Sequence, residues 1–137
     1  MNYTQYYMNR GNQDMTVEEL YTQIDGNYAH AVQIMKKDKM ISKYLLKLKN
    51  SGLIEGLQTA AENLDPTAMF ESAHAMKGVT ANLGLDLLSE KVSALTEEFR
   101  QGSERKCSDD EVRAMLDDIY ELYNKTAAGI GEYEQSL

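Results

Sequence analysis

The segment Asp65-Pro66-Thr67-Ala68-Met69-Phe70-Glu71-Ser72-Ala73-His74-Ala75-Met76-Lys77-Gly78-Val79-Thr80-Ala81-Asn82-Leu83-Gly84 has a helix start, a buried face and a helix stop written into it. Asp65 suits the N-cap, and Pro66 suits the first helical position, where its missing N–H is no loss. The spacing predicts a helix that ends near Leu83, with Gly84 free to take the left-handed conformation that closes it. Turning the helix by about 100° per residue puts Met69, Ala73, Met76, Thr80 and Leu83 on one arc, the face for a core. His74 falls roughly 130° from the middle of that arc, so it is expected to look outward or to sit at the edge of a groove. Phe70, Glu71, Lys77, Gly78 and Ala81 share its side.

Working outward, helical spacing recurs on both sides. Thr16-Val17-Glu18-Glu19 has the spacing of a capping box and opens a short helix to about Ile24. Asp25-Gly26-Asn27 interrupts it, and a second short helix through Ala31, Ile34 and Met35 carries His30, read as an ordinary surface or packed histidine. From Asp38 to Leu64 the pattern predicts one long helix, with Ile41, Leu45 and Leu48 on one stripe and Leu53, Leu57, Ala60 and Leu64 on the next. The stripe shifts at Asn50-Ser51-Gly52, where a kink or a break is the alternative, because glycine weakens a helix by up to about 1 kcal/mol relative to alanine.

After Gly84, the residues Leu85, Leu88, Val92, Leu95 and Phe99 make an amphipathic helix of about four turns. Gln101-Gly102-Ser103 breaks it. Ser108-Asp109-Asp110-Glu111 then opens a last helix with another capping box and acidic residues near the positive end of its dipole. Val112, Met115, Ile119, Tyr123, Ala127 and Ile130 are its expected buried face. Short connections between the longer helices favour an all-α fold, an antiparallel (up-down) four-helix bundle with additional short N-terminal helices. The domain is expected over residues 16–131, with a loose Tyr-rich tail over 1–15 and a C-terminal tail over 132–137.

The totals agree with one helical domain: 137 residues, 42% hydrophobic, one Pro and no Trp. The net charge of −8 is uneven, since residues 1–50 carry seven Lys and Arg against five Asp and Glu while the rest carries seven against seventeen. An acidic surface repels phosphate backbones and anionic lipid, so nucleic acid and membranes are excluded as partners. Lys36, Lys37, Lys39, Lys43, Lys47 and Lys49 form a local basic run, in the first instance a solvated helix face. With Cys107 as the single cysteine there is neither a disulfide framework nor a cysteine-based zinc site. No signal-peptide pattern and no apolar run of about 20 residues is present, so a soluble, cytoplasmic protein is expected.

The neighbours of His74 make sense for a group that must be approached closely. A neutral imidazole keeps a lone pair able to attack phosphorus. Gly78, one turn on, has no side chain to block access, although a helix built only for stability would prefer alanine there. Lys77 sets an ammonium beside anything negative that becomes attached to the ring. Glu71 and His74 also have the Glu-x-x-His spacing of di-iron bundles, but the second pair is missing, because Asn27 precedes His30 by three residues. No metal is therefore assigned. No Gly-rich phosphate loop is present to hold ATP.

The run from Ala73 to Gly84 closely resembles the signature of histidine-containing phosphotransfer (HPt) domains: His, two residues, Lys-Gly, small residues, then Asn-Leu-Gly. The resemblance extends more loosely over about residues 16–130. It implies that His74 accepts a phosphoryl group through Nε2 from an aspartyl phosphate on a receiver domain and passes it to another receiver. Lys77 would neutralise the phosphoryl charge and Gly78 would admit the partner. Phe70, Glu71 and Ala81, on the same side, would contact that partner, and Lys43 and Lys47 would steer its acidic site. The implied partners are response-regulator receiver domains and a hybrid sensor histidine kinase. Such a domain is a phosphoryl carrier without ATP-dependent kinase activity and needs no cofactor of its own, Mg²⁺ belonging to the receiver. Val79-Thr80 stands where the family often has Ser or Ala. The alternative is a module that docks a receiver without transferring phosphate.

Overall fold

A computed structural model describes residues 14–137, and all regular structure within them is helical. Residues 1–13, most of the expected N-terminal tail, lie outside the described residues. The helices are α1 (Val17–Gln23), α2 (Tyr28–Met35), α3 (Asp38–Lys49), α4 (Leu53–Ala61), α5 (Pro66–Asn82), α6 (Asp86–Glu98) and α7 (Asp109–Ser136).

Local chemistry sets most of these boundaries. The Thr16 hydroxyl accepts from the Glu19 N–H at 3.1 Å while Glu19 Oε1 accepts from the Thr16 N–H, so two donors at the start of α1 are satisfied reciprocally. Ser108 and Glu111 repeat the arrangement at the start of α7. Asn27 caps α2 by accepting from the His30 N–H at 3.0 Å.

The single helix expected from Asp38 to Leu64 is instead two. Gly52 sits at φ +77, a left-handed conformation that ends α3 and restarts the chain as α4. The Ser51 hydroxyl holds the break together, donating to the Leu48 carbonyl at 2.8 Å and accepting from the Leu53 N–H at 3.2 Å. A carbonyl and an amide that a continuous helix would have paired are thereby satisfied.

Packed structure is also present at both ends of the described chain. Met15 is buried, and its N–H donates to the Ser136 hydroxyl at 3.1 Å, so the chain is already packed before Thr16. At the other end α7 runs on through residues 132–136. Tyr133 extends the buried stripe one turn past Ile130 and donates from its hydroxyl to Ser42 Oγ at 2.9 Å, tying α7 to α3. On that helix Leu116 and Thr126 are buried in place of the expected Met115 and Ala127, which are only partly covered.

The core is continuous through Leu20, Ile41, Leu45, Leu57, Met69, Met76, Leu95 and Ile119, each at most 1% exposed. Burying a side chain of this size contributes about 1.5–3 kcal/mol, so the core, rather than the short helices' own propensity, holds them in place. α5 packs against α4, α6 and α2, its contact with α6 being the most extensive in the molecule. α3 packs against α2, α7 and α1. No helix among the described residues is long and apolar enough to cross a membrane.

Candidate functional site

Both ends of α5 are fastened. At its start Asp65 accepts from the Ala68 N–H at 3.1 Å. At its end the buried Tyr21 hydroxyl donates to the Leu83 carbonyl at 2.7 Å, and the Asn27 N–H donates to the Gly84 carbonyl at 2.8 Å. Burial holds the Tyr21 phenol well above its usual range, so it is a permanent donor. Gly84 has φ +65, and a Cβ there would stand 2.5 Å from the Asn27 carbonyl oxygen and 2.7 Å from the Ala31 nitrogen. Only glycine fits.

Between these anchors the helix turns Met69, Ala73, Met76 and Thr80 into the core, as the wheel predicts. Thr80 is buried because its hydroxyl bonds within its own helix, donating to the Met76 carbonyl at 2.8 Å. His74 faces outward and is exposed. Among the described residues neither of its ring nitrogens has a hydrogen-bond partner; its contact is with Phe70, whose ring stacks on the imidazole at 5.4 Å between centroids and 12° between planes.

Gly78 lies on the same face, and a Cβ added to it would meet nothing within 4 Å. The helix therefore presents bare backbone one turn beyond His74, with open space over it. Lys77 is partly buried at the border with α6 and contributes to holding the Glu97 carboxylate below the ordinary carboxylate range. The larger cause of that depression is Arg100, which donates to Glu97 through Nε at 2.9 Å and through a terminal nitrogen at 2.7 Å. Arg100 Cζ in turn stands 5.3 Å from the centre of the Phe70 ring.

Phe70, Glu71, His74, Lys77, Gly78 and Ala81 thus share one outward side of α5, Glu71 exposed and Phe70 and Ala81 partly covered. Lys43 and Lys47 are exposed on α3, with their ammonium groups 5.6 and 5.1 Å from the Tyr44 ring centre. No hydrogen bond, ion pair or ring contact joins them to the His74 side among the described residues. The Glu97–Arg100 pair went unassigned in the sequence, where only its i,i+3 spacing was visible. Beside Phe70 an open groove of about 520 Å³ runs between the start of α5 and the loop after α6, with Glu98, Phe99 and Arg105 on its far wall.

His30 differs in every respect. Its Nδ1 is 2.7 Å from Asp86 Oδ1, and Asp86 Oδ2 accepts from the Asn27 side chain at 2.9 Å. This histidine belongs to the junction of α2 and α6. Among the described residues no group of three or more His, Cys, Asp or Glu side chains is arranged to hold a metal ion.

Comparison with known proteins adds one match: the model of the Hpt domain fits residues 46–123. No curated protein and no solved structure matches the chain. The fitted region takes in all of α4, α5 and α6, with His74 near the middle of α5. Because it covers more than half of the 137 residues, this chain belongs to the Hpt domain family, the helical modules of histidine phosphotransfer in phosphorelay signalling.

Proposed function

We propose that the chain is a phosphoryl carrier that receives its phosphate on His74 from the aspartyl phosphate of a receiver domain and delivers it to a second receiver. The observation that carries this reading is an exposed histidine whose ring nitrogens have no hydrogen-bond partner among the described residues, beside an open Gly78 and inside the region matched by the Hpt domain. In the step itself the Nε2 lone pair forms the N–P bond as the bond from phosphorus to the aspartyl oxygen breaks. The carboxylate leaves with the bonding pair, and the cationic ring then releases its Nδ1 proton to water. The reverse sequence on a second receiver regenerates the neutral imidazole.

Lys77 has the role of neutralising the charge brought to the ring, and Gly78 that of letting the receiver backbone approach. Mg²⁺ sits in the receiver's acidic pocket, so the chain itself needs no cofactor and performs no ATP-dependent chemistry. Partners are response-regulator receivers and a hybrid sensor kinase, met in the cytoplasm. We read the helices as an up-down bundle in which the broken α3–α4 counts as one member beside α5, α6 and α7.

Mixing the protein with a phosphorylated receiver tests the reading. Transfer yields an acid-labile, alkali-stable phosphate on this chain that His74→Gln abolishes. A receiver that binds but never gives up its phosphate would make the chain a docking module instead. Phe70, Glu71 and Ala81 complete the contact surface, and Lys43 and Lys47 steer the acidic partner. Reversing both lysine charges is expected to slow association roughly tenfold at low salt and much less at high salt. An unchanged rate at low salt would remove them from the interface.

A further inference from the structure

We propose that Phe70 is a positioning residue for phosphoryl transfer: clamped by Arg100 and Glu97, it fixes the plane of the His74 imidazole. The proposal rests on His74 being the phosphoacceptor and assigns Phe70 a task other than touching the partner.

A histidine ring on a helix surface turns readily about its terminal torsion, which is broad and roughly two-fold. In most working histidines a hydrogen bond to the second ring nitrogen removes that freedom. His74 has no such bond among the described residues, whereas His30 does, to Asp86. What restrains His74 is the near-parallel stack with Phe70, exactly one helical step of four residues behind it.

Phe70 is itself held from the segment just past the end of α6. Arg100 lies over its ring at 5.3 Å, and two hydrogen bonds to Glu97 fix the guanidinium in place. The chain of contacts therefore runs from a carboxylate on α6 through a guanidinium and a phenyl ring to the imidazole on α5. Glu97 also feels the charge of Lys77, more weakly than that of Arg100. A ring held in one plane keeps the Nε2 lone pair on a fixed line, and in-line attack on phosphorus depends on that line.

The test separates positioning from docking by using two phosphate donors, a phosphorylated receiver and the small molecule phosphoramidate. Phe70→Leu keeps an apolar group but loses the stack, and Phe70→Tyr keeps the stack. Positioning predicts that the leucine variant loses roughly tenfold in rate at saturating receiver, and a similar factor with phosphoramidate, and that the tyrosine variant recovers most of the phosphoramidate rate. Docking predicts a raised KM for the receiver and an unchanged rate with phosphoramidate, which would overturn the proposal.

A second readout does not depend on transfer. The ring protons of His74 should be shifted upfield in the parent and in Phe70→Tyr, and should move downfield in Phe70→Leu. Arg100→Met, which leaves Phe70 in place but unclamped, should give a partial move and an intermediate rate. It serves as the deciding variant if the leucine protein loses its helical signal. Ring-proton shifts identical in all four proteins would also overturn the proposal. Failure of the parent to accept phosphate on His74 at all would instead refute the phosphocarrier reading.

Discussion

Two regions of this molecule each hold one histidine and one glycine, under opposite constraints. At the junction of α2 and α6, His30 is engaged by Asp86, and Gly84 is boxed in by Asn27 and Ala31 at a left-handed φ. On the outer side of α5, neither nitrogen of His74 has a hydrogen-bond partner among the described residues, and Gly78 has open space around it. The first pair is explained by the fold alone. The second is not, since alanine would serve a helix better than Gly78 and nothing in the packing requires a histidine at 74. The difference teaches why the proposed function is assigned to the second pair: the structure does not demand the identity of those residues.

The largest expected effect separates the histidines. His74→Gln should remove phosphoryl acceptance altogether, while His30→Gln should leave it within about twofold and cost roughly 0.5–1 kcal/mol of stability, the worth of a half-exposed pair. Loss of transfer in the His30 variant at full helicity would break the comparison.

The glycines should diverge in stability, measured by urea denaturation. Gly84→Ala should cost about 2–4 kcal/mol, because the left-handed backbone and the 2.5 Å approach to a carbonyl oxygen both oppose a Cβ. Gly78→Ala should gain roughly 0.5–1 kcal/mol and yet slow transfer from a receiver. A destabilised Gly78→Ala protein would show that this glycine, too, serves the fold.

A smaller effect sharpens the contrast between structural and exposed carboxylates. Buried Glu98 accepts from the N–H groups of Lys106 at 2.8 Å and Cys107 at 3.0 Å, and these bonds, that of Lys106 first, hold it below its ordinary value of 4.5. Its stabilising contribution is complete above that value and is lost as pH falls through the lower folded one. Glu98→Gln should therefore flatten the acid limb of the stability curve below about pH 4.5 and leave the neutral range nearly as flat as before. An acid limb identical to the parent's would take Glu98 out of the loop's support.

Much of this was legible in the sequence. Thr16, Asp65 and Ser108 announced helix starts because capping depends on residues three apart, and the 100° wheel separated Met76 from His74 because a single helix fixes their angle. The break at Gly52 was visible as an option, but choosing it required knowing that its φ is positive. The packing at the ends was not legible for a related reason: Met15 and Tyr133 are held by Ser136 and Ser42, partners distant in the chain. At the site, Phe70 and His74 are visibly one turn apart, whereas the Arg100 clamp exists only because α6 packs on α5.

With only two histidines in the chain, locating the phosphate is the most direct test. After transfer from a phosphorylated receiver, peptide mapping under alkaline conditions should find the phosphoryl group on the fragment carrying His74 and none on that carrying His30. Phosphate on His30, or on neither histidine, would contradict the account.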